Sequence, residues 1–426
     1  MAYHIPEEEA LDRDALRELQ RRRLAAMLDA ILPANAFYRR RFDGLSFDAA
    51  RDSLTDLPFT TREDIQADQA AHPPYGSRLT YPIDDYCRLH QTSGTMGRPL
   101  RCLDRAEDWE DWKRCWGIIF RAAGVTAADR FLFPFSFGPF IGFWAGFEGA
   151  VALGNLCLPA GGMSTEARLR FLIDQDVTFV ACTPTYALRM AEVAVAEGID
   201  LAGTAVRGLI VAGEPGGNIP AVRAKIESAW GARVFDHPGM SEVGPYGFEC
   251  VESPGTVHVM ETEFIEEVVA PETGRPVPEG DAGELVLTTL GRWGSPVIRY
   301  RTGDRVRVTR GRCRCGRSFT RMEGGLLGRY DDMMIIRGNN VFPAVIEGIL
   351  REFVEVAEFR LHAEAGGAMA QLTIEIEPTS DAAVGALSDR IERAVRDRLH
   401  FKPLVRLVRA GSLPRFEMKA RRVIRP

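Results

Sequence analysis

Thr92-Ser93-Gly94-Thr95-Met96-Gly97-Arg98-Pro99 places three hydroxyls and two glycines in eight residues, directly after the strand-like Tyr86–His90. Glycine lets a backbone wrap closely round a ligand and adopt positive φ. Hydroxyls and exposed N–H groups add hydrogen-bond donors without charge, a combination suited to phosphate oxygens. A Walker A loop is excluded, because Gly-Lys-Ser/Thr does not occur at the required place. A plain turn could have the same composition, so the loop gains its meaning from the segments downstream.

Five of those segments carry groups of the right kind. Gly213-Glu214-Pro215 ends an apolar run, and Gly239-Met240-Ser241-Glu242 follows the next, where open α/β sheets collect their ligands. Arg299-Tyr300-Arg301-Thr302-Gly303-Asp304 sets a carboxylate after a tight turn. Gly328-Arg329-Tyr330-Asp331-Asp332 stands where the chain changes character. Pro414-Arg415-Phe416-Glu417-Met418-Lys419 brings a lysine near the C-terminus. Taken singly, they also fit sheet-end turns, a solvated linker and a basic tail. Cys313-Arg314-Cys315, with Cys250 and His258 upstream, offers three thiols and one imidazole, the donor set of a structural zinc shell. The spacing is not that of a common finger, and free thiols on a turn fit it equally.

A framework must hold these groups, and the apolar pattern describes one. Leu16, Leu19, Met27, Leu28 and Ile31 lie at helical spacing within residues 7–32, and Arg21-Arg22-Arg23 falls on the solvated side. From about 130 to 245, the apolar runs Phe131–Phe137, Val177–Cys182, Leu209–Val211 and Val234–Phe235 alternate with helical segments near 165–174, 185–196 and 219–229. Thr183-Pro184 fits an N-cap followed by proline at the first helical position. This rhythm predicts an α/β fold with parallel sheet covered by helices. Gly283–Thr289 and Val306–Thr309 then read as short antiparallel strands. Beyond Gly328, strands at Val356–His362, Ala370–Ile376 and 404–409 and a helix across 379–398 form a small α+β unit. The expected domains are therefore 1–328 and 329–426.

Composition narrows the class. The chain has 426 residues, 46% of them hydrophobic and 26% charged, with a formal net charge of −6. That is a globular balance with no electrostatic case for nucleic acid. No apolar run suits a membrane span, and the start of the chain lacks an apolar signal core, so a cytoplasmic protein is expected. The cysteines Cys87, Cys102, Cys115, Cys157 and Cys182 lie in apolar or strand-like settings and read as small core residues.

Taken in order, the motifs over about residues 85–426 resemble the adenylate-forming superfamily, most closely the phenylacetate–CoA ligase family. That resemblance implies a large N-terminal domain of parallel sheets, helices and a small β-barrel-like part, followed by a mobile α+β C-terminal domain. It implies that Thr92, Ser93, Gly94, Thr95 and Gly97 hold ATP phosphates and that Gly213, Glu214 and Pro215 border adenine. Asp236 and Ser241 belong to the same nucleotide set. Glu242 is the magnesium-linked glutamate, Asp304 grips the ribose hydroxyls, and Arg329 assists. Asp331 falls on the hinge of the small domain, Gly338 in the loop that serves acyl transfer, and Lys419 on the catalytic lysine, with Thr92 and Glu242 beside it in the chemistry. Relatives with a Cys…His…Cys-x-Cys set here bind zinc, which favours Cys250, His258, Cys313 and Cys315 as a structural site. Three positions depart from the pattern: Met96, Pro238 and Met418 replace the usual hydroxyl residue, tyrosine and glycine.

The implied reaction suits these residue types. A carboxylate is a poor electrophile, so its oxygen attacks the α-phosphate of ATP and expels pyrophosphate, a step that needs positive charge and positioning. The mixed anhydride then reacts with a thiol, coenzyme A being the leading acceptor. A carrier-protein thiol, an amine or a hydroxyl remains open, as does a homodimer. Phe133, Phe135, Phe137, Phe140, Phe143 and Trp144 concentrate aromatics where the family places its acyl pocket. Phe135, Phe140 and Tyr186 are the candidates for contact with a flat aromatic acid, together with His237, Pro238 and Gly239. Residues 131–150 contain no lysine or arginine, so a second carboxylate on the acid is not expected. The reading from another class is a zinc-containing binding protein that has lost catalysis. Joint retention of Glu242, Asp304, Arg329 and Lys419 argues against it.

Overall fold

The computed structural model describes residues 2–49, 51–92, 99–337, 339–363, 371–380, 386–417 and 419–424. At its centre is a five-stranded sheet ordered Leu156–Pro159, Arg130–Phe133, Phe179–Cys182, Gly208–Ala212, Arg233–His237. All its pairings are parallel. Side chains alternate across it, as strand geometry requires. Phe131, Phe133, Phe179, Ala181, Ile210 and Phe235 face one apolar core, while Leu132, Val180, Cys182, Leu209, Val211 and Val234 face another. The helices Thr165–Asp174, Pro184–Ala196 and Pro220–Trp230 supply the second core. Thr183 caps the middle one, accepting from the Tyr186 N–H, with Pro184 next in the chain.

The second large sheet is antiparallel, as the strand reading of Gly283–Thr289 and Val306–Thr309 expects. Its seven strands pair antiparallel throughout, in the order Phe264–Val269, Ala282–Thr289, Tyr300–Thr309, Arg321–Glu323, Thr256–Val259, Gly247–Glu249, with Gly328–Arg329 added beside Tyr300–Thr309. Its strands are joined by connections without helices, which suits antiparallel neighbours; parallel ones need a long crossover. The expected helix over 7–32 is two pieces, Pro6–Glu9 and Arg13–Ile31, because Asp12 caps the second by accepting from the Ala15 N–H.

Beyond Gly328 a four-stranded sheet, ordered Leu404–Leu407, Leu372–Pro378, Val356–Ala363, Val423–Ile424, packs with Pro343–Arg351 and Leu387–Leu399 around a core of its own. Of the expected helix across 379–398, the part from Leu387 is helical, Thr379 and Ser380 are not, and 381–385 lie outside the described residues. Among the described residues, no helix is long and apolar enough to cross a membrane.

Candidate active site

The C-terminal ends of the parallel strands open onto the site. Gly208–Ala212 runs into Gly213, whose φ of +95° is a conformation glycine adopts freely. The side chain of Lys419 lies over that glycine: a Cβ built there would stand 3.3 Å from Lys419 Cε. Lys419 keeps solvent access. Burial by the surrounding protein nevertheless lowers its pKa; Glu214 and Glu242 act in the opposite direction.

Glu242, by contrast, is buried. Its Oε1 accepts from the Tyr300 hydroxyl at 2.9 Å and from Arg62 Nη1 at 3.3 Å. Arg62 Nη2 donates to Thr92 Oγ1 at 2.9 Å, so one guanidinium joins the glutamate to the first residue of the hydroxyl-rich loop. Thr92 also closes the base of that loop, exchanging backbone and side-chain hydrogen bonds with Leu100. Ser93, Gly94, Thr95 and Gly97, with Met96, lie outside the described residues, as do Gly338 and Met418.

The strand Tyr300–Thr309 positions two acids at once. Tyr300 and Asp304 are four residues apart and share its buried face. Tyr300 holds Glu242, and Asp304 accepts from the Tyr246 hydroxyl at 3.1 Å and Arg329 Nη1 at 2.9 Å. Burial pushes the Asp304 carboxyl up to about 6, against the pull of Arg329. Arg329 also donates to Asp331 at 3.1 Å, tying the junction to the same carboxylate pair. Asp236 takes a hydrogen bond from Asn218, and burial and nearby Glu249 push its carboxyl up to about 7. The Ser241 carbonyl is held by Arg292 Nη1 at 2.8 Å.

An aromatic row leads away from these groups. His237 Nδ1 lies 2.7 Å from the Gly247 carbonyl, which makes that nitrogen the donor. Burial lowers the ring's pKa to about 4, so it is neutral and Nε2 is an acceptor. The ring lies against Trp116 (centroids 4.6 Å apart), Trp116 meets Phe143 (5.9 Å), and Phe143 meets Phe135 (6.3 Å). Glycine at 142 suits this arrangement: its φ is +40°, and a Cβ there would stand 2.0 Å from Phe135 Cζ, so that ring would have to shift. Pro238 is buried against Gly247, and Gly239 is exposed beside His237. Tyr186 is not part of the row. Its hydroxyl takes a 2.5 Å bond from Arg168 and lies 3.1 Å from Thr165, and its ring packs in the core on the other side of the sheet. Phe140 is exposed.

Cys250, His258, Cys313 and Cys315 converge in the antiparallel half. All four are buried, and their ligand atoms lie within 4.8 Å of one another.

The comparisons with known proteins agree on what this arrangement belongs to. The chain is 33% identical to the phenylacetate–coenzyme A ligase of Thermus thermophilus, over 98% of each chain. It is 32% identical to the enzyme of the same name from Escherichia coli K12, over 96% of this chain and 94% of that one. The chain belongs to the phenylacetate–CoA ligase family. Residues 338–425 match the family model of the AMP-binding enzyme C-terminal domain. A crystal structure of 2-hydroxyisobutyryl-CoA ligase, in the postadenylation state with 2-HIB-AMP, is 29% identical. It superposes with a TM-score of 0.93 over 100% of this chain and 92% of that one. The same ligase in its thioesterification state, with CoA, gives 0.74 over 99% and 91%. This phenylacetate–CoA ligase family member therefore superposes more closely on the postadenylation structure than on the thioesterification one.

Three residues in this family member's site escaped the motif reading. Arg62 begins the helix Arg62–Ala71 behind a Thr61–Asp64 capping box, a signal that marks a helix start and not a ligand. Tyr246 and Trp116 are apolar-looking positions whose partners are set only by the fold.

Proposed function

We propose that the chain activates an aromatic carboxylic acid with ATP as an acyl-adenylate and transfers the acyl group to coenzyme A. The carrying observation is the convergence of Lys419, Glu242, Thr92, Asp304 and Arg329 at the ends of the parallel strands, in a chain related along nearly its full length to phenylacetate–coenzyme A ligases. Asp304 and Arg329 hold the ribose, Gly213 and Pro215 flank the adenine, and Thr92 opens the phosphate loop. Lys419 reaches across Gly213 and stabilises charge developing as the acid's oxygen attacks the α-phosphate. Glu242 would hold magnesium: Oε1 is engaged by Tyr300 and Arg62, and Oε2 takes no hydrogen bond among the described residues. When bound, that ion neutralises phosphate charge. The acid lies along the row from His237 through Trp116 to Phe135. Neutral His237 and the ring edges there offer little to a charged tail. All eight cysteines are unpaired, which fits a reducing cytoplasm.

The acid class is tested by ATP–pyrophosphate exchange with phenylacetate, benzoates, 2-hydroxyisobutyrate and palmitate. Aryl acids should drive exchange and palmitate should not, because flat apolar area is rewarded at ~25 cal/mol per Å² buried while a long chain has no room. Exchange with 2-hydroxyisobutyrate and with no aryl acid would move the chain to small aliphatic acids.

The four buried donors would hold a structural zinc. Tetrahedral bonds of about 2.3 Å to sulfur and about 2.0 Å to nitrogen require S···S of about 3.8 Å and S···N of about 3.5 Å. Cys250 and Cys313 sulfurs stand 3.9 Å apart, and Cys315 sulfur lies 3.6 Å from His258 Nε2. With four protein ligands no position is left for a reacting water. One zinc per chain is expected by elemental analysis, and a strong chelator should lower the unfolding temperature. Fully active protein purified without zinc would contradict the assignment.

A further inference from the structure

The C-terminal segment that carries Lys419 is held to the large unit by Glu214. One carboxylate oxygen, Oε1, accepts from the Thr185 N–H at 2.9 Å, in the first turn of the helix Pro184–Ala196. The other, Oε2, accepts from the Ala420 N–H at 2.7 Å, one residue beyond Lys419. Both donors are backbone groups, so the clasp reads the position of the main chain and not the identity of a side chain. Around it, Arg422 donates to Thr185 Oγ1 at 3.3 Å while gripping Glu358 and Glu347 within the small unit. Arg168 and Glu417 lie 3.6 Å apart, and Arg415 and Glu192 3.5 Å apart. Arg168 is itself fixed by Tyr186 and the Ala160 carbonyl. Of these contacts that cross between the large and small units, the bond from Ala420 to Glu214 is the shortest.

We infer that Glu214 is a positioning residue of the adenylation half-reaction: its carboxylate pins the backbone beside Lys419 to the large unit and so sets the lysine over Gly213. This rests on the assignment of Lys419 to adenylation and goes beyond a place at the edge of adenine. When the small unit turns away for thioester formation, the Ala420 bond must break, while the Thr185 bond stays within the large unit. A carboxylate suits the task because it accepts two N–H groups at once. A glutamine accepts with one atom and presents its own N–H to the other donor. An aspartate keeps the charge and loses one methylene of reach.

The test assays each half-reaction separately on the full chain, with the most active acid of the exchange panel. Glu214→Gln is expected to lower the turnover of adenylate formation about 10- to 100-fold, the range for a hydrogen bond to a charged group. The dissociation constant for ATP and thioester formation from supplied acyl-adenylate should stay at wild-type values. Glu214→Asp should show the same split, because reach and not charge is lost; it also serves should the glutamine variant fold poorly. Fluorescence energy transfer between labels on the helices Pro184–Ala196 and Leu387–Leu399 should report a smaller closed population in both variants. The proposal is overturned if ATP affinity carries the whole loss, or if both half-reactions fall together. It is also overturned if Glu214→Asp behaves as wild type, which would leave the residue acting through charge alone. Lys419→Ala, run alongside, separates the two readings: if it leaves adenylation intact, the lysine assignment fails first.

Discussion

Replacing Lys419 with alanine is expected to slow adenylate formation by about 10²–10³-fold, the loss seen when a group that stabilises developing transition-state charge is removed. The same variant should still convert supplied acyl-adenylate to thioester. The asymmetry follows from where the lysine sits. Its stem crosses Gly213 on the large unit, while its chain segment belongs to the small one. A turn of the small unit would carry it away. Asp331, in the short helical turn Tyr330–Asp332 at the junction, gives the complementary test. Asp331→Pro should restrict the turn and impair thioester formation while sparing adenylation. Asp331→Ala controls for the lost contact with Arg329. Equal loss of both halves in the Lys419 and the proline variants would make these residues merely structural.

The second large effect is expected at Arg292. Its side chain is 2% exposed; Nε donates to Asp104 Oδ1 at 2.6 Å, Nη1 holds the Ser241 carbonyl, and the guanidinium lies over Trp112. Asp104 follows the hydroxyl-rich loop in sequence and Ser241 precedes Glu242, so one buried cation joins the strand Arg101–Arg105 to the turn that carries Glu242. Arg292→Met leaves a buried carboxylate without its charge partner, which costs ~3–5 kcal/mol. Urea unfolding should register that loss, and adenylation should slow because the Ser241–Glu242 turn loses its anchor. Adding Asp104→Leu should restore much of the stability, since the uncompensated charge is gone, without restoring the turn. A change below ~1 kcal/mol in the single variant would show that the pair is not needed for the fold.

What could be read from the sequence was whatever has a local cause. Thr183-Pro184 announces the start of a helix by chemistry confined to a few residues, and the structure places that start there. The strands Phe179–Cys182, Gly208–Ala212 and Arg233–His237 fall within two residues of the apolar runs expected for their cores, whereas the run Phe131–Phe137 continues four residues past its strand, Arg130–Phe133. Long-range partners had no such signal. Arg62 lies 30 positions before Thr92 and 180 before Glu242, and only the fold brings the three together. Tyr186, a candidate for contact with the acid, stands apart from the aromatic row: its ring packs in the core with the helices Thr165–Asp174 and Pro184–Ala196, and its hydroxyl accepts from Arg168 and lies 3.1 Å from Thr165. Asp304 and Arg329 lie 25 positions apart, and the pairing of their two strands joins them.

The most direct test of the whole account is a product analysis of one complete turnover. Protein, ATP, magnesium, coenzyme A and the most active aryl acid are incubated together, and nucleotides and thioesters are quantified. The account predicts aryl-CoA, AMP and pyrophosphate in equal amounts, with no ADP formed and no product when the acid is omitted. Formation of ADP and phosphate, or AMP and pyrophosphate with acyl-adenylate accumulating and no thioester, would contradict it.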